Sequence, residues 1–298
     1  MPVLRRVGLV VHPTRPVQGV LDEIDAWAAG HDITVGQVPA RGQTREVADP
    51  LDAASCDLLL GVGGDGTALA ALHAGAPMST PVLGIACGSI GVLTSVTADR
   101  VEWALDQIAS ERWTPLAVPG LDVVWGEADG EVAINDVAVV RDGVGQIVVS
   151  IAVDDVLYAE LAGDGVVVAS ALGSTAYTMA AGGPILAPGA DGVVVTPLAT
   201  HGGSCVPLVA GVGSSVTVTV APGHVGARCE LDGHRSSMEG NVVTVRHRPD
   251  YATLVTLAEE EPRLTGLRRR GLVRDSPRAR VRDVRAALRE SGRAPPPE

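Results

Sequence analysis

The chain has 298 residues and a formal net charge of −12. Apolar residues make up 46% and charged residues 19%, which allows a packed core in one large or two adjoining domains and excludes global disorder. All 23 basic residues are Arg, so mechanisms that need a P-loop or Schiff-base Lys are excluded. The charge is uneven: residues 262–298 carry eleven Arg against four acids, leaving 1–261 at −19. So acidic a body argues against nucleic acid as a partner. Phosphates, if bound, call for metal ions and backbone N–H groups. The four Cys lack metal-type spacing, and neither a signal-peptide core nor an 18-residue apolar span occurs. The expectation is a cytoplasmic chain with no membrane partner.

In chain order, residues 7–11 read as a strand ended by His12-Pro13, and 17–29 have helical spacing. Residues 33–38 are strand-like, and 56–62 form an apolar run that closes on glycines. Residues 67–75 are rich in Ala and Leu, and 81–85 are again a strand. In 99–112, Val101, Ala104, Leu105 and Ile108 mark one helix face. This alternation predicts a parallel sheet with flanking helices. From 121 to about 245 the chain turns to short Val-rich runs (132–140, 147–153, 165–168, 192–195, 216–220, 242–245) between Gly, Asp and Pro. That pattern predicts a β-rich region, with only 174–181 helical. Residues 251–257 read as a strand returning to the first sheet. The expected fold is an α/β N-terminal domain over 1–115 and a β-rich C-terminal domain over 116–250. A returning strand and Arg-rich tail over 251–298 should pack on the N-terminal domain.

Between the apolar run and the Ala-rich helix lies Gly61-Val62-Gly63-Gly64-Asp65-Gly66-Thr67. It matches the dinucleotide-binding G-x-G-x-x-G, but residues 83–88 lack the acid expected at the end of the next strand, and Asp65 would repel a pyrophosphate. A second reading is a turn in which Asp65 caps the helix. A third is a phosphate-binding loop in which backbone N–H groups cradle phosphate and Asp65 accepts a proton from an attacking hydroxyl. No G-x-S-x-G accompanies His201, which argues against a hydrolase triad.

Several segments in register resemble one family. Gly63-Gly64-Asp65-Gly66-Thr67 resembles the GGDGT signature of the NAD kinase superfamily (ATP-NAD kinases). Gly163-Asp164-Gly165, Gly173-Ser174-Thr175-Ala176-Tyr177 and Ala181-Gly182-Gly183-Pro184-Ile185 resemble its GDG, GSTAY and AGGPI stretches. Ile134-Asn135-Asp136-Val137, Val195-Thr196-Pro197 and Leu231-Asp232-Gly233 resemble further family segments. The chain thus resembles a divergent bacterial-type member over about residues 5–258. The resemblance implies an NAD kinase-like two-domain fold and ATP-dependent phosphorylation of the adenosine-ribose 2′-hydroxyl of NAD to NADP. It makes Asp65 the catalytic base and assigns Gly63, Gly64 and Thr67 to the phosphates of ATP. It assigns Gly66, Asn135, Asp136, Asp164, Thr175, Ala176, Tyr177, Ala180 and His234 to the acceptor. Mg²⁺ or another divalent cation would be bridged mainly by ATP phosphates, and a homodimer or homotetramer is implied.

The chain departs from the family pattern at Ala68, Ala86, Ala162, Leu172, Ala180 and His234. Between Trp113 and Ala227 its only Arg is Arg141. Two alternatives stay open on sequence: a kinase of this fold for another hydroxyl acceptor (nucleoside, sugar derivative or small alcohol), and a non-catalytic nucleotide-binding regulator.

Overall fold

The first third alternates as the spacing predicts: β1 (Arg6–Val11), α1 (Gln18–Gly30), β2 (Thr34–Gln37), β3 (Leu58–Gly63), α2 (Asp65–Gly75), β4 (Val82–Ala86), β5 (Val96–Thr97) and α3 (Val101–Ala109). The computed structural model describes residues 4–89, 91–126, 130–187, 189–223, 226–237, 240–258 and 263–276. β1 pairs in parallel with β2 and β3, β3 with β4, and β4 with β5. β3 and β4 are buried at every residue, as strands covered on both faces must be. Alternate side chains serve the two faces. Leu58, Leu60 and Val62 pack with Ile24 of α1 and Leu105 of α3, while Leu59 packs with Ala68 and Leu72 of α2.

After residue 114 strands dominate: β6 (Thr114–Trp125), β7 (Glu131–Ala133), β8 (Asp136–Asp142), β9 (Ile147–Val153), β10 (Val156–Gly163), β11 (Gly165–Ser170), then the short helix α4 (Tyr177–Ala180), β12 (Val193–Leu198), β13 (Leu208–Ala210), β14 (Ser215–Val220), β15 (Gly226–Leu231), β16 (His234–Arg235) and β17 (Val242–Thr256). One antiparallel sheet has the order β13-β12-β11-β8-β15-β16. The other continues the parallel sheet, in the order β10-β9-β14-β17-β4-β3-β1-β2. The 15-residue β17 is the spine of this join. Its first residues pair antiparallel with β14, Leu254 sits parallel opposite Val82 of β4, and β6 runs antiparallel along both halves. The Val-rich inner faces of the two sheets meet in one core that includes Leu121, Trp125, Val139, Val168, Val195 and Val243.

Two expectations change in detail. The run 132–140 is two strands, because the N–H groups of Ile134, Asn135 and Asp136 donate to the Asp232 carboxylate and not to a neighbouring strand. The helical stretch 174–181 is a 3₁₀ turn (Gly173–Thr175) followed by α4, broken at Ala176, whose φ is −102° and ψ −118°. Residues 261–298 form a separate unit, in which α5 (Arg263–Arg269) carries an Arg268–Asp275 ion pair of 2.6 Å. Residues 277–298, most of the Arg-rich tail, lie outside the described residues. Among the described residues, no helix is long and apolar enough to cross a membrane.

Candidate active site

Buried β3 delivers the glycine loop to the carboxyl end of the parallel strands, where open α/β sheets place their ligands. Gly64 is extended and precedes α2, whose first residue is Asp65. A carboxylate is favoured there by the positive end of the helix dipole. The Asp65 carboxylate accepts from the Val92 N–H at 2.7 Å and the Leu93 N–H at 2.9 Å, with the Thr94 hydroxyl at 3.4 Å. These bonds fix its orientation. A carboxylate offers about four lone-pair sites, so acceptor capacity remains for a substrate hydroxyl. Gly91 makes the fit possible, since a Cβ at that position would overlap the Asp65 carboxylate.

The loop has a fixed cation that the sequence reading missed. Arg15 Nη1 donates to the Gly63 carbonyl at 3.1 Å, and the guanidinium lies against Gly64 and Gly88. Its own loop is held in turn. His12 Nδ1 accepts from the Arg15 N–H at 3.1 Å, and Arg45 Nη1 donates to the Arg15 carbonyl at 3.0 Å. Arg15, Arg41, Asp65, Thr67 and His234 line one cavity of about 280 Å³. Among the described residues, neither Arg15 nor Arg41 has a carboxylate within ion-pair distance. Gln43 lines the same cavity, and both polar atoms of its side chain are buried without a protein partner. The available signal was parallel pairing: β1 and β3 are neighbours in register, so the loops that follow them open side by side.

Asn135 and Asp136 sit where β7 gives way to β8, and Asp232 gathers them. Asp232 Oδ1 accepts from the Asn135 N–H at 2.6 Å and the Asp136 N–H at 3.1 Å, while Oδ2 accepts from the Ile134 N–H at 2.8 Å. His73 Nε2 lies 2.7 Å from Asp232 Oδ2. The sequence reading matched Asp232 to a family turn but gave it no role, and it did not single out His73. Asp136 is 6% exposed. Burial first, then the neighbouring Asp232 charge, pushes its carboxyl up to about 7, although the Tyr177 N–H partly offsets this. His234 follows the Asp232-Gly233 turn and is exposed towards the glycine-loop cavity.

Asp164, Tyr177 and Ala180 line a second cavity, of about 430 Å³, where Tyr177 is 41% exposed. Two Arg stand in it already paired: Arg141 Nε with Asp164 Oδ1 at 2.7 Å, and Arg228 Nε with Glu230 Oε1 at 2.6 Å. The Tyr177 N–H that lowers the Asp136 pKa belongs to a residue lining this cavity. Thr175 turns its hydroxyl to the Leu172 carbonyl at 3.1 Å, and the Ala176 N–H donates to Gly173, so both shape the turn before Tyr177. Among the described residues, no group of three or more His, Cys, Asp and Glu has the arrangement of a metal cage. Among the described residues, Asp65 is the one carboxylate lining the glycine-loop cavity. That donor set suits a hard cation carried chiefly by phosphate oxygens and water.

Comparison with known proteins agrees with this layout. Residues 9–113 match the sequence model of the ATP-NAD kinase N-terminal domain, and residues 134–257 that of the ATP-NAD kinase C-terminal domain. The NAD kinase of Chloroflexus aggregans is 31% identical over 264 residues, covering 86% of this chain and 94% of the relative. That of Chloroflexus aurantiacus is also 31% identical, with the same coverage. Among solved structures, yeast NADH kinase complexed with NADH superposes with a TM-score of 0.78 at 20% identity, covering 92% of this chain and 89% of that one. An Archaeoglobus fulgidus NAD kinase in complex with ATP gives 0.71 at 24% identity, covering 88% and 96%. By its two domain matches and its near full-length relatives, the chain belongs to the NAD kinase family.

Proposed function

We propose that this protein is an ATP-dependent kinase that phosphorylates the adenosine-ribose 2′-hydroxyl of NAD, giving NADP, with Asp65 as general base. The observation that carries the reading is the Asp65 carboxylate, oriented by two backbone N–H groups at a glycine-loop helix N-terminus and facing a cavity that also holds Arg15 and Arg41. Phosphoryl transfer asks the protein for little covalent chemistry. It needs an aligned acceptor, a proton acceptor and positive charge on the donor.

In this reading, N–H groups at the start of α2 and the Arg15 guanidinium hold the donor phosphates beside Gly63, Gly64 and Thr67. Asp65 receives the hydroxyl proton. Gly66, Asn135, Asp136 and His234 border the acceptor ribose and base. Asp164, Thr175, Ala176, Tyr177 and Ala180 form the wall beyond it, where the exposed Tyr177 ring offers a stacking face. Mg²⁺ or a similar ion near Asp65 would supply neutralising charge. We assign the protein to the cytoplasm as a homodimer or homotetramer, which light scattering on the purified chain tests.

The deciding experiment is a coupled assay with ATP and Mg²⁺ over NAD, NADH, nucleosides and simple sugars. NADP formation from NAD is the expected result. Turnover only of a small hydroxyl compound would move the acceptor assignment, and silence on the whole panel would overturn the kinase reading.

A further inference from the structure

His73 and Asp232 tie the catalytic helix to the crossing that carries Asn135 and Asp136. Helix α2 holds Asp65 at its first residue and His73 in its last turn, about 12 Å further along the axis at 1.5 Å per residue. A helix of about three turns packed on β3 and β4 is a rigid strut, so the position of His73 reports the position of Asp65.

Asp232 faces His73 from the turn between β15 and β16, at a φ of 52°, in the left-handed region that Asp tolerates better than most residues. Its carboxylate is 4% exposed and already accepts three N–H groups, from Ile134, Asn135 and Asp136. Its own N–H donates to the Asp136 carbonyl at 2.9 Å. A carboxylate in that cradle is an acceptor. The 2.7 Å contact with His73 Nε2 therefore places the ring proton on Nε2, donating to Asp232. On the other side of the ring, His73 Nδ1 lies 3.3 Å from the Tyr251 hydroxyl of β17, and the two rings meet edge-on at 5.9 Å. The imidazole is thus clamped between β17 and the Asp232 turn, while its backbone belongs to the catalytic helix.

We propose that His73 is a positioning residue: through Asp232 it sets the Asn135–Asp136 crossing at a fixed distance from Asp65, so that the acceptor's hydroxyl meets the base. The proposal rests on the kinase reading for its consequence, but the tether itself does not. No proton leaves His73 during turnover, and its role ends at the hydrogen bond to Asp232. The effect falls on the acceptor side, because the donor loop is held independently by Arg15 and by the α2 N-terminus.

Two measurements on the full-length protein test it. In steady-state kinetics, His73→Ala is expected to raise the KM for NAD roughly fivefold, the worth of one hydrogen bond, and to leave the KM for ATP within about twofold. His73→Gln, whose amide can still donate to Asp232, should recover most of the loss, whereas His73→Leu, of similar bulk, should not. Equal behaviour of Gln and Leu, or an ATP KM that rises alongside, would show that the residue only packs. The second measurement needs no substrate. Hydrogen–deuterium exchange at residues 134–136 should quicken in His73→Ala, and unchanged exchange overturns the tether whatever the kinetics show. If wild-type protein phosphorylates no compound of the panel, the kinase reading fails, and the exchange result still decides the tether.

Discussion

Arg15 Nη1 donates to the main-chain oxygen of Gly63 at 3.1 Å, which lays a guanidinium across the glycine loop from the neighbouring β1 loop. With one N–H committed to Gly63, the fork keeps further donors for a ligand. In a Lys-free chain whose residues 1–261 carry −19, this sets a fixed positive charge against Gly64.

Arg15→Ala is therefore expected to raise the KM for ATP by roughly tenfold or more, the worth of a charged hydrogen bond, with the KM for NAD little changed. Arg15→Lys should restore part of the affinity, because Lys keeps the charge but loses the planar fork. Initial rates at varied ATP and fixed NAD check both. A KM for NAD that rises as much as that for ATP would place Arg15 outside the donor site.

Asp65→Asn is expected to fold and to bind ATP, with kcat lower by about 10²–10⁴-fold, the usual contribution of a general base. The amide also sets an NH₂ group against one of the Val92 and Leu93 N–H donors, so loop 91–94 should shift. Near-normal turnover in this variant would remove Asp65 from the chemistry.

Gly91→Ala tests the position of the proposed base separately from its identity. The added Cβ overlaps the Asp65 carboxylate, so one of the two must move. Because a displacement of about 1 Å at a reacting group can cost on the order of 10²-fold, kcat should fall while ATP binding measured by calorimetry persists. Unchanged kcat would mean that the loop relaxes without moving Asp65.

Asp136 carries a pH signature. Its folded pKa is pushed to about 7 from 3.8 by burial and then by Asp232, so between these values the folded state keeps a proton that the unfolded chain has lost. The contribution is stabilising below about pH 4, falls as pH rises towards 7, and is flat above that. Asp136→Asn removes the titration while leaving an oxygen for the Tyr177 N–H. The Tm of the variant relative to wild type should therefore be higher at pH 8 than at pH 5, as read by differential scanning calorimetry. A pH-independent difference would show that Asp136 does not titrate in this range.

The α/β beginning was legible because buried parallel strands leave unbroken apolar runs and their helices leave a 3.6-residue period, as with residues 58–62 and Val101, Ala104, Leu105 and Ile108. The β-rich half was legible through its Val runs, but not its breaks. Whether 132–140 was one strand or two depended on Asp232, nearly a hundred residues away, taking three N–H groups. The glycine loop was the clearest site signal, since four glycines around one acid have little structural purpose. Arg15 was missed because counting charges along residues 114–226 looks for cations near the motifs in sequence, and parallel pairing brings them from the far end of the chain.

By itself the sequence determined the fold class, the glycine loop with Asp65, and the motif segments at Asn135, Asp164 and Tyr177. Each depends on short-range periodicity or on residue types at close spacing. Only the tertiary structure decided what surrounds them: Arg15 on Gly63, Gly91 against Asp65, and His73 on Asp232. These contacts join residues 26 to 159 positions apart. Strand register and turn geometry bring such residues together, and no local pattern in the chain encodes that.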